Sequence, residues 1–511
     1  MTARSWLLSV TSDASDHFVL RPPAHLPRLI LLVLLYSLPL IVAIRPAPPH
    51  GDDHRSDCQA VVKVVLSCHR PSTSKGRCTR IRKSRDEAKA LHSAQEPHTR
   101  ERRFRTRVAQ VVATVAAATI LWLIVRHEVA GLRSDERRPE EFMAFYTVGR
   151  MLNESSSDLY EPASFLKEYD RLFPRVTGGA PLYAHAPFEA LIFQPFARLP
   201  FKSALVAWQA VSLAFVCAGF TLVWLSGESL PRSLLPLALL LAISFQPVSV
   251  SLIFNGQVSA LLFLWIACAI WFQRQGWEYG SGVALSLCLS KPTLLILLLP
   301  MLGVGRRWRT LLGFLCGTAL VGVVSLMVVG RRGCIDYVLT LLKFGRVATT
   351  ASDEVFSPPS LYVDLNSFIR ILTGWSGALP LLLLVALGAC ILPWLVSLWR
   401  HVPEGWTTGL RFTWACTITW TMLLNVYVPR YDTPIIMLGI LLIVDALLAT
   451  GQGRLPLLLQ ILFGLLYVVP WIPPVPISGG ALLQPYTVIL AALGTYQLWL
   501  ATSLRRAERG S

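Results

Sequence analysis

From residue 107 to the C-terminus this chain is a succession of apolar blocks, most of them close to the ~20 residues that a helix needs to cross a bilayer. In hydrocarbon every backbone polar group has to be satisfied internally, and a helix does this within one segment. The blocks fall at 108–125, 203–225, 233–254, 257–273, 280–304, 308–329, 377–399, 409–428, 432–449, 454–472 and 483–503. Composition agrees with that pattern. Hydrophobic residues make up 53% of the chain and charged residues 15%, against about 25% charged in soluble domains; the mean hydropathy is +0.52. The expected fold is an all-α polytopic membrane protein with about 10–12 transmembrane helices.

The net charge of +17 reads, in this setting, as Lys and Arg held in cytoplasmic loops and tails and facing anionic lipid. No basic, aromatic-interleaved soluble segment is present, so nucleic acid is not an expected partner. Of the ten Cys, six lie in apolar blocks, where a thiol behaves as a small hydrophobe. Cys58, Cys68 and Cys78 are evenly spaced and lack the paired form of a zinc site. No disulfide framework, metal site or cofactor is expected.

Residues 1–105 differ from the rest. They contain a short apolar run at 26–44 with two prolines, open to reading as a signal-type segment or a marginal span, and then an Arg-rich polar stretch that fits disorder. The regular architecture, residues 106–504, begins at the basic run RRFRTR, which places the N-terminal side of the first span in the cytoplasm. Residues 126–202 and 331–375 become the two large loops, and the basic end 505–511 a cytoplasmic tail. One block conflicts with this scheme. Arg274 flanks 280–304 on one side and Arg306, Arg307 and Arg309 on the other. About 25 residues cannot cross twice at 1.5 Å per residue. Either two half-helices broken at Lys291–Pro292 dip in and return, or the block crosses once against the charge rule. A broken helix at membrane depth lines a cavity or is buried in protein.

Polar residues concentrate at span ends and breaks. EEFMAFYTVGRML, residues 140–152, follows the first span. Its aromatics suit a helix lying in the membrane interface with its apolar face down, and Glu141, with Glu140 beside it, is placed to act as a general base; an ordinary charged loop is the plainer alternative. Lys291 is an ammonium in an apolar block, where such a group faces a cavity or pairs with an anion. Asn255-Gly256-Gln257 reads either as a tight turn or as amides for sugar or phosphate oxygens. Arg430, Tyr431 and Asp432 form a polar knot between two blocks; Arg430 suits phosphate, and Asp432 either neutralises Arg430 or bonds a sugar. If these clusters share a side, they converge on one membrane face, as chemistry on a lipid-linked substrate would require.

These residues resemble a known family. Glu141-Phe142-x-x-Phe145-Tyr146-x-x-Gly149 resembles the D-F-x-x-Y-Y-x-A-G segment of glycosyltransferase family 87, formerly DUF2029. Asp158-Leu159-Tyr160, the run Ala184 to Leu191, Asn255-Gly256-Gln257, Lys291-Pro292 and Tyr427 with Tyr431-Asp432 follow in family order. Two departures stand out: the acid is Glu141 rather than Asp, and His185-Ala186 replace Tyr-Pro. The resemblance implies a GT-C-type transmembrane bundle that transfers a hexose, mannose in the polyprenol-phosphate-mannose-dependent members, from a polyprenyl-phosphate sugar to a lipid or glycan acceptor outside the cell membrane. It implies Glu141 as base, with Glu140, Tyr146, His185, Asn255, Gln257, Lys291, Arg430, Tyr431 and Asp432 around the substrates. A transporter or flippase of lipid-linked saccharides is the competing reading, and would favour inverted repeats.

Overall fold

A computed structural model describes residues 107–131, 139–156, 158–174, 183–250, 255–350, 359–375, 377–451, 455–477 and 482–510. The N-terminal extension, with its apolar run at 26–44, lies outside the described residues. The described residues are mostly helical. The described strands form one small antiparallel hairpin, β1 (Val475–Pro476) and β2 (Leu482–Leu483).

Among the described residues six helices are long and apolar enough to cross a membrane: Arg107–Gly131, Phe201–Ser226, Trp308–Lys343, Leu379–Arg400, Arg430–Ala449 and Pro485–Arg506. Shorter apolar helices cover Arg232–Ile243, Ser259–Arg274, Pro292–Val304 and Leu457–Trp471. The chain is a multi-pass, all-α membrane protein, and several of the apolar blocks are broken rather than continuous.

In chain order the elements are α1 (Arg107–Gly131), α2 (Glu140–Asn153), α3 (Pro162–Leu172), α4 (Pro187–Phe193), α5 (Phe201–Ser226), α6 (Leu235–Ile243), α7 (Ser259–Arg274) and α8 (Glu278–Ser286). There follow α9 (Leu298–Val304), α10 (Trp308–Thr350), α11 (Leu365–Thr373), α12 (Leu379–Arg400), α13 (Thr408–Leu423), α14 (Ile436–Ala449), α15 (Leu457–Val468) and α16 (Pro485–Gly510). Helix α10 kinks at Gly330, whose φ of 67° lies outside the helical region.

Named contacts fix which helix ends lie together. The start of α5 packs on α2, with Phe201 5.6 Å from Phe142 and 5.4 Å from Tyr146 between ring centroids. Its far end leads to Glu228, which pairs with Arg411 near the start of α13. Arg411 is buried and also binds Asp445, near the end of α14, at 2.7 Å. Asp445 accepts from the Ser229 amide at 2.8 Å. This charge cluster, with Arg411 and Asp445 buried and Glu228 half-exposed, defines one end of the bundle. The other end holds the starts of α2, α5, α7 and α14.

The broken block resolves as a re-entrant hairpin. Helices α8 and α10 run parallel and in close contact: Gly313 abuts the Tyr279 carbonyl, a Cβ on Gly282 would collide with the Thr310 carbonyl, and Gly317 abuts Ser286. Both therefore start at the same end. Arg307 joins them there, 3.9 Å from Glu278 and 2.9 Å from the Pro403 carbonyl. Thr310 bonds Gln273, at the end of α7, at 3.3 Å. The chain from 278 rises through α8 and a 3-10 turn at Leu287–Ser290, reverses at Lys291–Pro292, and returns through α9. Both basic flanks then share one face, as the charge rule requires.

Candidate active site

Helix α2 carries Glu141 in its first turn. Its aromatics do not dip into lipid as the sequence suggests. Phe142, Met143, Phe145 and Tyr146 are all buried in protein. Phe145 stacks on Phe193 at 4.5 Å, Phe193 packs on Trp208 at 4.7 Å, and Phe201 covers Phe142 and Tyr146. The apolar face found partners in α4 and α5, so the helix is clamped from several sides rather than floating in the interface. A carboxylate on so fixed a helix keeps its position without the substrate.

The Asn255-Gly256-Gln257 turn abuts the residue after Glu141. Gly256 has φ +62°, and a Cβ there would lie 2.8 Å from the Phe142 Cβ. Glycine therefore serves both the left-handed backbone and the close approach. Trp208 Nε1 donates to the Gly256 carbonyl at 2.8 Å. Gln257 is fully buried, and neither its amide nitrogen nor its oxygen has a hydrogen-bond partner among the described residues.

Lys291, at the tip of the re-entrant hairpin, reaches the start of α14. Its Nζ lies 2.8 and 3.0 Å from the two carboxylate oxygens of Asp432. Asp432 is buried and also accepts from Ser259 at 2.5 Å. One residue past Pro292, the Thr293 carbonyl accepts a long bond of 3.4 Å from the Ile296 amide and a second from Asn425 Nδ2 at 2.9 Å. Tyr431 completes the connection. Its hydroxyl donates to Glu141 Oε1 at 3.2 Å, and Lys291 Nζ stands 4.7 Å from its ring centroid. A cation over an aromatic face is attracted by the ring quadrupole. Glu141, Tyr431, Lys291, Asp432 and Ser259 thus form one continuous polar chain.

The second large loop braces this knot. Val363 donates to Val428 at 2.8 Å, and Tyr362 pairs with Pro429. Asp364 is fully buried, caps α11 by accepting from the Ser367 amide and hydroxyl at 2.8 and 3.0 Å, and accepts from the Val428 amide at 3.0 Å. Burial outweighs these bonds and pushes its carboxyl up to about 6.

Other residues singled out in the sequence fall elsewhere. Arg430 does not pair with Asp432; its Nη1 donates to the Pro470 carbonyl at 3.1 Å, and Lys291 holds the carboxylate instead. Tyr146 spends its hydroxyl on the Leu199 carbonyl at 2.8 Å and anchors α2 to the start of α5. His185 packs on Phe145, one turn along α2 from Glu141, with 4.9 Å between ring centroids. Asn255 is half-buried beside the chain. The Glu140 side chain lies outside the described residues. Sequence reasoning missed Ser259 and the Arg411 cluster. Arg411 opens an apolar block and reads as a flank; its depth within a bundle of charged partners gave no periodic signal.

The model of glycosyltransferase family 87 matches residues 183–426. That stretch contains His185, the Asn255–Gln257 turn, Lys291 and Asp364; Glu141 precedes it and Asp432 follows it. No curated protein and no solved structure matches the chain significantly. The matched stretch, just under half of the chain, is similar to glycosyltransferase family 87.

Proposed function

We propose that this protein is a membrane glycosyltransferase that takes a hexose, mannose by family resemblance, from a polyprenyl-phosphate donor and passes it to a lipid or glycan hydroxyl by inverting displacement. The observation that carries the reading is the chain from Glu141 through Tyr431 to Lys291. It puts a carboxylate and a cation on one end of the bundle, joined by a single side chain. In the reaction Glu141 takes the proton of the acceptor hydroxyl. The acceptor oxygen attacks the anomeric carbon as the bond from that carbon to the phosphate oxygen breaks, and polyprenyl phosphate leaves with the electron pair. Lys291 meets the growing charge on the phosphate. Asp432 and Ser259 hold the ammonium in place, and Gln257 supplies amide groups to substrate oxygens. Arg430 backs the phosphate side from its bond to Pro470.

The site faces the extracytoplasmic side of the cell membrane in this reading. Support comes from the opposite end, where Arg232, Arg274, Arg306, Arg309, Arg400 and Arg506 flank the helices. The test is incubation of membranes holding the protein with labelled polyprenyl-phosphate mannose. Label passing to a new lipid or glycan product supports the reading. Movement of intact donor between leaflets without transfer supports a flippase and overturns it.

A further inference from the structure

A second acid lies near Glu141 without a role in that scheme. Glu189, in the first turn of α4, is fully buried. Neither of its oxygens has a hydrogen-bond partner among the described residues. Its Oε1 lies 3.0 Å from His185 Nδ1, in ion-pair range though off the line of a directed bond. The walls around the pair are aromatic: Phe145 stands edge-on to His185 at 4.9 Å, Tyr183 lies at 5.7 Å, and the Tyr160 hydroxyl donates to the His185 carbonyl at 2.5 Å. Burial, and then the Glu189 charge, push the Tyr183 hydroxyl well above its ordinary value, so it remains a neutral wall.

A carboxylate without water or hydrogen bonds is costly unless a positive or donating group faces it. Among the described residues His185 is the basic side chain in ion-pair range of Glu189. The fold therefore commits Nδ1 to Glu189, and Nε2 is the nitrogen left to meet a ligand, on a side chain that keeps 15% exposure. A carboxylate behind an imidazole fixes its tautomer and orientation.

The order of contacts assigns the ligand. Lys291 touches Tyr431, Tyr431 touches Glu141, and His185 packs on Phe145, one helical turn along α2 from Glu141. In an inverting displacement the nucleophile arrives opposite the leaving group, on the side of the base. The phosphate belongs at the Lys291 end, so the acceptor belongs at the His185 end. We propose that His185, positioned by Glu189, binds a hydroxyl of the acceptor and orients the nucleophile toward Glu141. The proposal rests on the transfer reaction above, and makes Glu189 a positioning residue that acts through His185.

The test uses membranes from cells lacking the protein, supplied with wild type, His185→Gln, Glu189→Gln or the double variant. Labelled polyprenyl-phosphate mannose is the donor, and the acceptor is the total lipid extract of the same deficient cells. Each single variant should raise the half-saturating extract concentration ten-fold or more and leave the donor KM within two-fold. The double variant should be no worse than the worse single one. The unchanged donor KM also shows that the variant is folded. Should His185→Gln, which leaves the buried Glu189 without its basic partner, not accumulate, Glu189→Gln and the double variant, which strand no carboxylate, decide. Unchanged acceptor dependence, a rise in donor KM instead, or multiplying effects in the double variant would overturn this inference while leaving the transfer reaction standing. Absence of any transfer by the wild type would overturn both.

Discussion

Glu141 and Tyr431 are 290 residues apart in sequence and share a hydrogen bond of 3.2 Å. That bond closes the site: Tyr431 is followed by the Asp432 that holds Lys291, and its own ring lies under the Lys291 ammonium. The hydroxyl gives Glu141 a fixed direction before any substrate arrives. Tyr431→Phe keeps the ring under Lys291 and removes only the donor. Transfer should fall about 10-fold, near the scale of one hydrogen bond to a charged group, with donor KM within two-fold. Steady-state rates against donor concentration check this.

The Lys291–Asp432 pair separates stability from activity. Lys291→Met leaves a buried carboxylate unpaired, at a cost of about 3–5 kcal/mol. Asp432→Asn in the same chain removes the stranded charge. Thermal unfolding in detergent should show the double variant more stable than Lys291→Met alone, while transfer remains lost in both. Recovery of transfer in the double variant would remove Lys291 from the reaction.

The re-entrant hairpin depends on the backbone contact between α8 and α10. Gly282→Val places a branched side chain against the Thr310 carbonyl and the Phe314 amide. It should lower the unfolding temperature and reduce transfer together, because the displaced hairpin carries Lys291 with it. Gly303→Ala is the control: a Cβ there meets only Leu311, at 3.9 Å, and both quantities should stay near wild type.

Asp364 gives a pH dependence whose sign is set by burial. Its folded carboxyl is raised from 3.8 to about 6, so the fold holds this proton more tightly than the unfolded chain does. The resulting stability is full below the unfolded value and is lost as pH rises through about 6. Asp364→Asn stays neutral throughout. The unfolding temperature of Asp364→Asn relative to wild type should therefore rise between pH 5 and pH 7.5; a constant difference would contradict the assignment.

Much of this was legible in the sequence for definite physical reasons. Apolar block length announces membrane helices, and Arg on both flanks of 280–304 left a broken hairpin as one of two solutions. Lys291 stood out because an ammonium in an apolar block is costly. Partners were not legible. Nothing local to Asp432 says that it meets Lys291 and Ser259 rather than Arg430. Phe142 and Phe145 have the pattern of an interfacial helix, yet Phe193, Phe201 and Trp208 bury them, because aromatic faces pack on protein when the fold brings them together. The His185–Glu189 spacing of four was visible, but a spacing does not reveal that the acid has no other partner among the described residues.

Purified Glu141→Gln protein tests the central claim most directly. The amide keeps the size of the side chain and its acceptor oxygen for Tyr431, and removes the base. Turnover with labelled polyprenyl-phosphate mannose and the deficient-cell lipid extract should fall about 10²–10⁴-fold, with donor affinity within a few-fold of wild type. Turnover near the wild-type rate would contradict the account, since the carboxylate that meets Tyr431 would then take no part in the transfer.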